Sequence, residues 1–229
     1  MGKIDDEYDA AKAQYPLAPK NIPGELAIRI GGVVVPILGI VNSVRDYYSE
    51  RAMTERLEAL VEAVNSKTNA TSMKIESPHF AESIRLAIEE TWRTTDTAKV
   101  ARFGSILGNA IVASDDVDSP RDAVEFIRAI AQLTDRDIRV LNILYSVNAD
   151  IMKTHPNLHD PNPFTERLGD VFKAVSEANI HRDDFYSSCK RLEGFGLAIE
   201  LARNPGRMAP GDYAFRPTLR GVKLLLLLR

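Results

Sequence analysis

Apolar residues recur every three or four positions along most of this chain, and that recurrence predicts helices. Met53, Leu57, Leu60, Val61 and Val64 share one face, with Glu50, Arg51, Glu55, Arg56, Glu58 and Glu62 on the others, so an amphipathic helix runs to about Asn65. The polar stretch Asn65 to Ser72 reads as a loop. Four further helices follow. Ser77 caps the first with Pro78 at its first position, and Phe80, Ile84, Ala87, Ile88 and Trp92 form its inner stripe. Thr94 to Asp96 start the second, whose stripe is Val100, Phe103, Leu107, Ala110 and Ile111. Ser119 and Pro120 start the third, with Ala123, Ile127, Ile130 and Ala131 inside. Thr134 starts the fourth, where Thr134-Asp135-Arg136-Asp137 is a capping box with Asp in place of Glu, and Ile138, Leu141, Leu144 and Tyr145 face inward. No stretch from 50 to 150 alternates with period two, so this part is predicted all helical.

Beyond a breaker-rich loop from Thr154 to Pro163 the pattern changes. Leu168, Val171, Phe172 and Val175 mark one helix, and Phe185, Cys189 and Leu192 mark another that ends near Gly194 and Gly196. Leu197 to Arg203 reads as a strand, Asn204 to Asp212 as a turn-rich connection and Tyr213 to Arg216 as a second short strand. Thr218 to Leu228 is a final helix or strand with an apolar surface. Three helices followed by a β-hairpin is the order of a winged helix-turn-helix. The predicted class is therefore mainly α, a helical N-terminal region followed by a winged helix-turn-helix-like C-terminal unit. The expected organisation is an acidic disordered tail over 1–23, a helical domain over 24–133 and a winged-helix-like domain over 134–229.

Leu26 to Val44 departs from the amphipathic rule. It carries no charge from Ile30 to Val44, 15 residues, and is interrupted by Gly31, Gly32, Pro36 and Gly39. A spanning helix needs about 20 apolar residues. Three readings stay open, in this order: a kinked helix or hairpin buried in the domain or in a dimer, a peripheral or re-entrant membrane contact, and a true span. Ile30, Val33, Val34, Val35, Ile37, Leu38, Ile40 and Val41 are the expected membrane or oligomer contacts.

Composition narrows the chemistry. The chain has 229 residues, a net charge of -3 and a single cysteine, Cys189. That length supports a core without staples, the lone thiol excludes an internal disulfide or a four-thiolate metal site, and a reducing compartment fits best. Four acidic residues among the first nine, Asp5, Asp6, Glu7 and Asp9, do not suit a secretory signal, so a cytoplasmic protein is expected, with the inner-membrane surface as a peripheral alternative. His155 and His159 have metal-like spacing, but Pro156, Pro161 and Pro163 forbid the helix that would align them, and a surface loop is expected. Asp115, Asp116, Asp118 and Asp122 form an acidic cluster. Counted from Asp116, the EF-hand positions for Gly and Glu hold Arg121 and Ile127, so a solvated loop is expected. Cys189 sits on an apolar face with His181 eight residues away and is expected to be an inert buried thiol. Gly-x-Ser-x-Gly and phosphate-loop patterns are absent from the sequence, and no catalytic residue, metal or cofactor is predicted.

Nucleic-acid binding is weighed by charge. Residues 134–229 hold 14 Lys and Arg against 12 Asp and Glu, a net of +2, and residues 1–133 carry -5. A recognition helix from His181 to Phe195 would bring Asp183 and Asp184 towards phosphates and repel them. Lys190 and Arg191 on that helix and Arg203 and Arg207 on the wing are the residues that would contact DNA. Use of the unit for packing or dimerisation is placed ahead of DNA reading.

A longer pattern spans residues 87–145, AIEETWRTTDTAKVARFGSILGNAIVASDDVDSPRDAVEFIRAIAQLTDRDIRVLNILY. Its apolar helix ends in Thr94 to Asp96. Phe103, Leu107 and Ala110 follow, then Phe126 with Ile127, then the step Gln132-Leu133-Thr134. Together with the apolar N-terminal segment and the C-terminal Leu192-Glu193-Gly194-Phe195-Gly196-Leu197, this resembles the bacterial abortive-infection alpha (Abi-alpha) proteins over roughly residues 26–220. The resemblance implies a role in defence against phage and brings no catalytic residues with it. The expectation is a non-enzymatic protein, a homo-oligomer acting through protein or membrane-surface contacts. The alternative is a winged-helix transcriptional regulator that binds DNA.

Overall fold

The computed structural model describes residues 27–30, 33–36, 50–67, 78–112, 119–154, 162–201 and 213–229. Among these the chain is mainly helical, with two short antiparallel hairpins, and it divides between Ala131 and Gln132 into two units.

The N-terminal unit opens with β1 (Ala27–Ile30) and β2 (Val33–Pro36), paired so that Ile30 faces Val33 and Ala27 faces Pro36. Gly31 and Gly32 are the two residues between them, a pair suited to a two-residue connection. Ile28, Ile30, Val33, Val34 and Val35 are β-branched and favour strands. The hairpin alternative therefore holds for Ala27–Pro36 and the kinked helix does not. Ile37, Leu38, Ile40 and Val41 lie outside the described residues.

Four helices follow: α1 (Glu50–Lys67), α2 (Pro78–Arg93), α3 (Thr97–Val112) and α4 (Ser119–Gln132). The closest packing in this unit is α1 on α3, and glycine makes it possible. A Cβ on Gly104 would lie 2.5 Å from the Ala63 Cβ and 2.6 Å from the Leu60 carbonyl, and one on Gly108 would lie 2.7 Å from the Lys67 Cβ. Leu57, Leu60 and Val64 of α1 and Val100, Phe103, Leu107, Ala110 and Ile111 of α3 are buried. So are Ile84, Ala87 and Ile88 of α2 and Ala123, Ile127 and Ile130 of α4, whereas Trp92 and Ala131 are only half-buried. The Asp96 carboxylate caps α3 by accepting from the Ala98 and Lys99 amides at 2.9 and 3.2 Å. Lys99 in turn donates to the Ala131 carbonyl at 3.1 Å, satisfying an acceptor in the last turn of α4.

In the C-terminal unit α5 (Asp135–Thr154) is the central element, and α7 (Leu168–Glu177), α8 (Arg182–Gly194), β4 (Phe215–Pro217) and α9 (Leu219–Leu227) all pack on it. The five-residue helix α6 (Asn162–Glu166) precedes α7, and β3 (Ala198–Glu200) pairs antiparallel with β4, Ile199 facing Arg216. The last segment, open between helix and strand on sequence grounds, is helical. The second strand, expected over Tyr213 to Arg216, starts two residues later and ends one residue later, at Phe215–Pro217. Ile138 and Tyr145, expected inside, are half-buried.

Local chemistry explains the turns. Both α7 and α8 end in a left-handed residue with paired reverse hydrogen bonds. At α7 the residue is Asn179, φ 55°, with Ile180 donating back to the Val175 carbonyl at 3.1 Å. At α8 it is Gly196, φ 67°, with Leu197 donating back to the Leu192 carbonyl at 2.9 Å. Thr218 then joins three pieces: its hydroxyl donates to the Gly196 carbonyl at 2.7 Å and accepts from the Gly221 amide at 3.0 Å, and its own amide donates to Leu197.

Candidate functional site

The face to test is that of α8, since it follows the α7–α8 turn and leads into the hairpin. The helix starts at an extended His181, φ -66° and ψ 151°, with no side-chain cap. Asp183 and Asp184 fill its first turn, where negative charge offsets the unpaired amides of the N-terminus. Asp184 also forms an ion pair with Arg136 of α5. Arg182 lays its guanidinium over the Phe172 ring at 4.5 Å and the Tyr186 ring at 5.8 Å. Edge-to-face contacts run from Phe172 through Tyr186 to Tyr213, the outermost ring at 44% exposure.

Arg191 is tied into the floor of the unit. Its Nε and Nη2 donate to Asp137 of α5 at 3.1 and 2.8 Å, and Nη2 also reaches the Ser188 hydroxyl at 3.3 Å. Asp137 is fully buried. The Thr134 amide and hydroxyl donate to the same carboxylate at 2.8 and 2.9 Å, and the Asp137 amide donates back to the Thr134 hydroxyl at 3.3 Å. This is the capping box expected at Thr134, completed by a cation from another helix. Burial pushes the Asp137 carboxyl up. The hydrogen bonds from Arg191, the Thr134 amide, Ser188 and the Thr134 hydroxyl outweigh that and leave it below the usual value of 3.8.

Lys190 is exposed, yet its ammonium is held by two carboxylates, Glu193 at 2.8 Å and Glu200 of β3. The same pair of carboxylates raises its pKa. It also lies 5.5 Å from the Phe215 ring centre. Glu193 meanwhile accepts from the Glu200 backbone amide at 3.0 Å. Of the four cations expected to contact DNA, the two on α8 therefore each have an anionic partner inside their own unit. Arg203 and Arg207 lie outside the described residues, as do His155, His159, Asp115, Asp116 and Asp118.

Cys189 is fully buried. Burial pushes its thiol pKa far up, with Glu193 and Asp137 adding to the effect, so the thiolate that a nucleophile requires is suppressed. No group of three or more His, Cys, Asp or Glu among the described residues could hold a metal ion. Ile30, Val33, Val34 and Val35 are placed in the β1–β2 hairpin, and β1 runs beside α1. No helix among the described residues is long and apolar enough to cross a membrane.

Sequence reasoning missed the partners rather than the cations. Glu193 could have been found three residues after Lys190 on one helix face. Glu200 and Asp137 depend on tertiary placement, 10 and 54 residues away from the cations they pair with. Arg216, on β4, was not singled out at all. Comparisons with family models, with curated proteins and with solved structures found no match.

Proposed function

We propose that this chain works by contact, as a protein-interaction module in the phage-defence setting that its resemblance to the abortive-infection alpha proteins implies. The apolar hairpin Ala27–Pro36 is its contact segment, and a second copy of the chain is its first partner. The observation that carries this reading is the hairpin itself. Seven of its eight strand residues are uncharged, Arg29 being the exception, and among the described residues they form a ribbon of two strands. Consecutive apolar residues in an antiparallel ribbon need cover on both faces, more than a two-stranded ribbon supplies for itself. The C-terminal unit, read as a winged helix-turn-helix, serves packing in this account. Lys190 and Arg191 are committed to Glu193, Glu200 and Asp137, and Asp183 stands exposed in the first turn of α8. A DNA-reading helix needs cations free to meet phosphate.

Light scattering after gel filtration tests the proposal. The native chain is expected to run as a dimer or larger. Val35→Asp is expected to run as a monomer with an unchanged far-ultraviolet spectrum, because an unpaired charge in a covered face is costly. A native chain that stays monomeric across concentrations ends the oligomer reading. Co-sedimentation of the native chain, but not Val35→Asp, with anionic vesicles would put the membrane surface in its place. Tight, sequence-specific binding of duplex DNA at physiological salt would put the regulator first.

A further inference from the structure

Most arginines of the C-terminal unit that make a described ion pair meet an aspartate: Arg136 meets Asp184, Arg167 meets Asp150 and Arg191 meets Asp137. Arg216 does not. It projects from β4 opposite Ile199, its guanidinium lies 5.6 Å from the centre of the Phe164 ring, and one terminal nitrogen donates to the Pro217 carbonyl at 3.3 Å. Its Nε is buried without a hydrogen-bond partner. No carboxylate among the described residues offsets its charge. Burial lowers its pKa, and no neighbouring carboxylate among the described residues opposes that shift. Arg220 also has an unbonded Nε, but it makes other contacts.

A guanidinium presents five N–H donors in a planar fork shaped for an oxyanion, and a half-buried one with no counter-charge is costly to keep. The geometry points to Arg216 as the charged element of a binding site for a carboxylate on an apolar carrier, with the exposed Ile199 as its apolar wall. The charge count selects the ligand class. A guanidinium with no carboxylate partner among the described residues is neutralised by a monoanion, whereas a phosphate dianion would leave a residual charge there. Ile199 is 41% exposed and is the direct cross-strand neighbour of Arg216, so it offers hydrocarbon contact beside the fork. This site stands apart from the hairpin contact proposed above and does not depend on it.

The test follows the Nε–Hε resonance of Arg216 in protein labelled with 15N-arginine, titrated with sodium acetate or sodium butyrate against sodium chloride at equal ionic strength. Saturable movement with both carboxylates and none with chloride is expected, with half-saturation on the order of millimolar. Butyrate should bind about threefold or more tighter than acetate, because it adds two methylenes against Ile199. Arg216→Lys keeps the charge without the fork and should bind at least about tenfold more weakly. Arg216→Met should lose the carboxylate-dependent rise in thermal midpoint, and its midpoint in chloride should equal or exceed that of the native chain. If Arg216→Met does not fold, the Lys variant is read by the same thermal shift. A blocked Glu tripeptide amide separates the sources. Tighter binding of butyrate assigns a small acid, tighter binding of the peptide assigns a partner's side chain, and either supports the site. No movement, equal movement with chloride, or a carboxylate response that survives in the Met variant overturns it.

Discussion

Asp137 is a charge with no solvent contact, and it is tolerable only because every oxygen has a donor: Arg191 from α8 and Thr134 from its own helix start. One side chain thus caps α5 and fastens α8 to it. Its carboxyl is held below 3.8 in the folded unit. A depressed carboxylate pKa contributes stability that is fully present above the unfolded value, about 3.9, and is lost as pH falls through the lower folded value. The C-terminal unit should therefore weaken below about pH 4, and Asp137→Asn should flatten that acid limb. At neutral pH the same variant should cost about 2–4 kcal/mol in a denaturant titration. The lower part of that range is favoured because the Arg191 side chain is 42% exposed and water can solvate it once its partner is gone. An unchanged acid limb would show that Asp137 does not titrate with unfolding. Phe103 represents the other kind of residue, an apolar side chain with no exposure at the centre of the α3 stripe. Phe103→Ala should cost about 3–5 kcal/mol, and a loss below about 1 kcal/mol would mean that the cavity collapses freely.

Between elements, the tightest fits are made by missing side chains. Gly104 and Gly108 let α3 approach the backbone of α1. Gly221 lets α9 approach Leu197, where a Cβ would come within 2.1 Å of the carbonyl oxygen. Backbone cannot swing away as a side-chain tip can, so Gly104→Ala is expected to destabilise by about 1–3 kcal/mol through a forced separation of the two helices. Gly221→Ala should be at least as severe. The check is the denaturation midpoint, and a Gly221→Ala chain as stable as the native one would refute the close approach. These contacts also mark where sequence reading stops. The stripes of α1 to α4 were legible because each repeats one periodic pattern, and the starts at Pro78, Thr94 to Asp96 and Thr134 were legible because capping is local chemistry. The ends at Asn179 and Gly196 differ in visibility. Glycine announces a left-handed residue and asparagine only permits one. Ala27–Pro36 stayed open between helix and hairpin because a short apolar run has no decisive period, and β-branching with paired glycines settled it. At the candidate site the residues on α8 were legible but their electrostatic state was not. Glu200 reaches Lys190, and Asp137 reaches Arg191, only after the unit has folded.

At the scale of the whole molecule, the division between Ala131 and Gln132 makes a prediction that neither residues nor elements make alone. Each unit has its own buried set: Phe103, Phe126 and Ile127 in the first, and Val140, Leu144, Phe185 and Leu192 in the second. Substitutions in separate cores with no shared partners act independently. Native-state hydrogen exchange can read the two units side by side, because a locally opening unit loses protection as a block. Asp137→Asn should lower protection in α5, α7, α8 and α9 while the amides of α1, α2 and α3 keep theirs, and Phe103→Ala should do the reverse. At neutral pH the slowest α8 amides should exchange about 30-fold to several hundred-fold faster in Asp137→Asn, the equilibrium equivalent of about 2–4 kcal/mol. Equal loss across both units in either variant would mean that the chain opens as one cooperative block. In that case an acid-induced weakening at Asp137 would reach the α1–α3 contact as well, and the hairpin Ala27–Pro36, proposed above as the contact segment, would come under the same control.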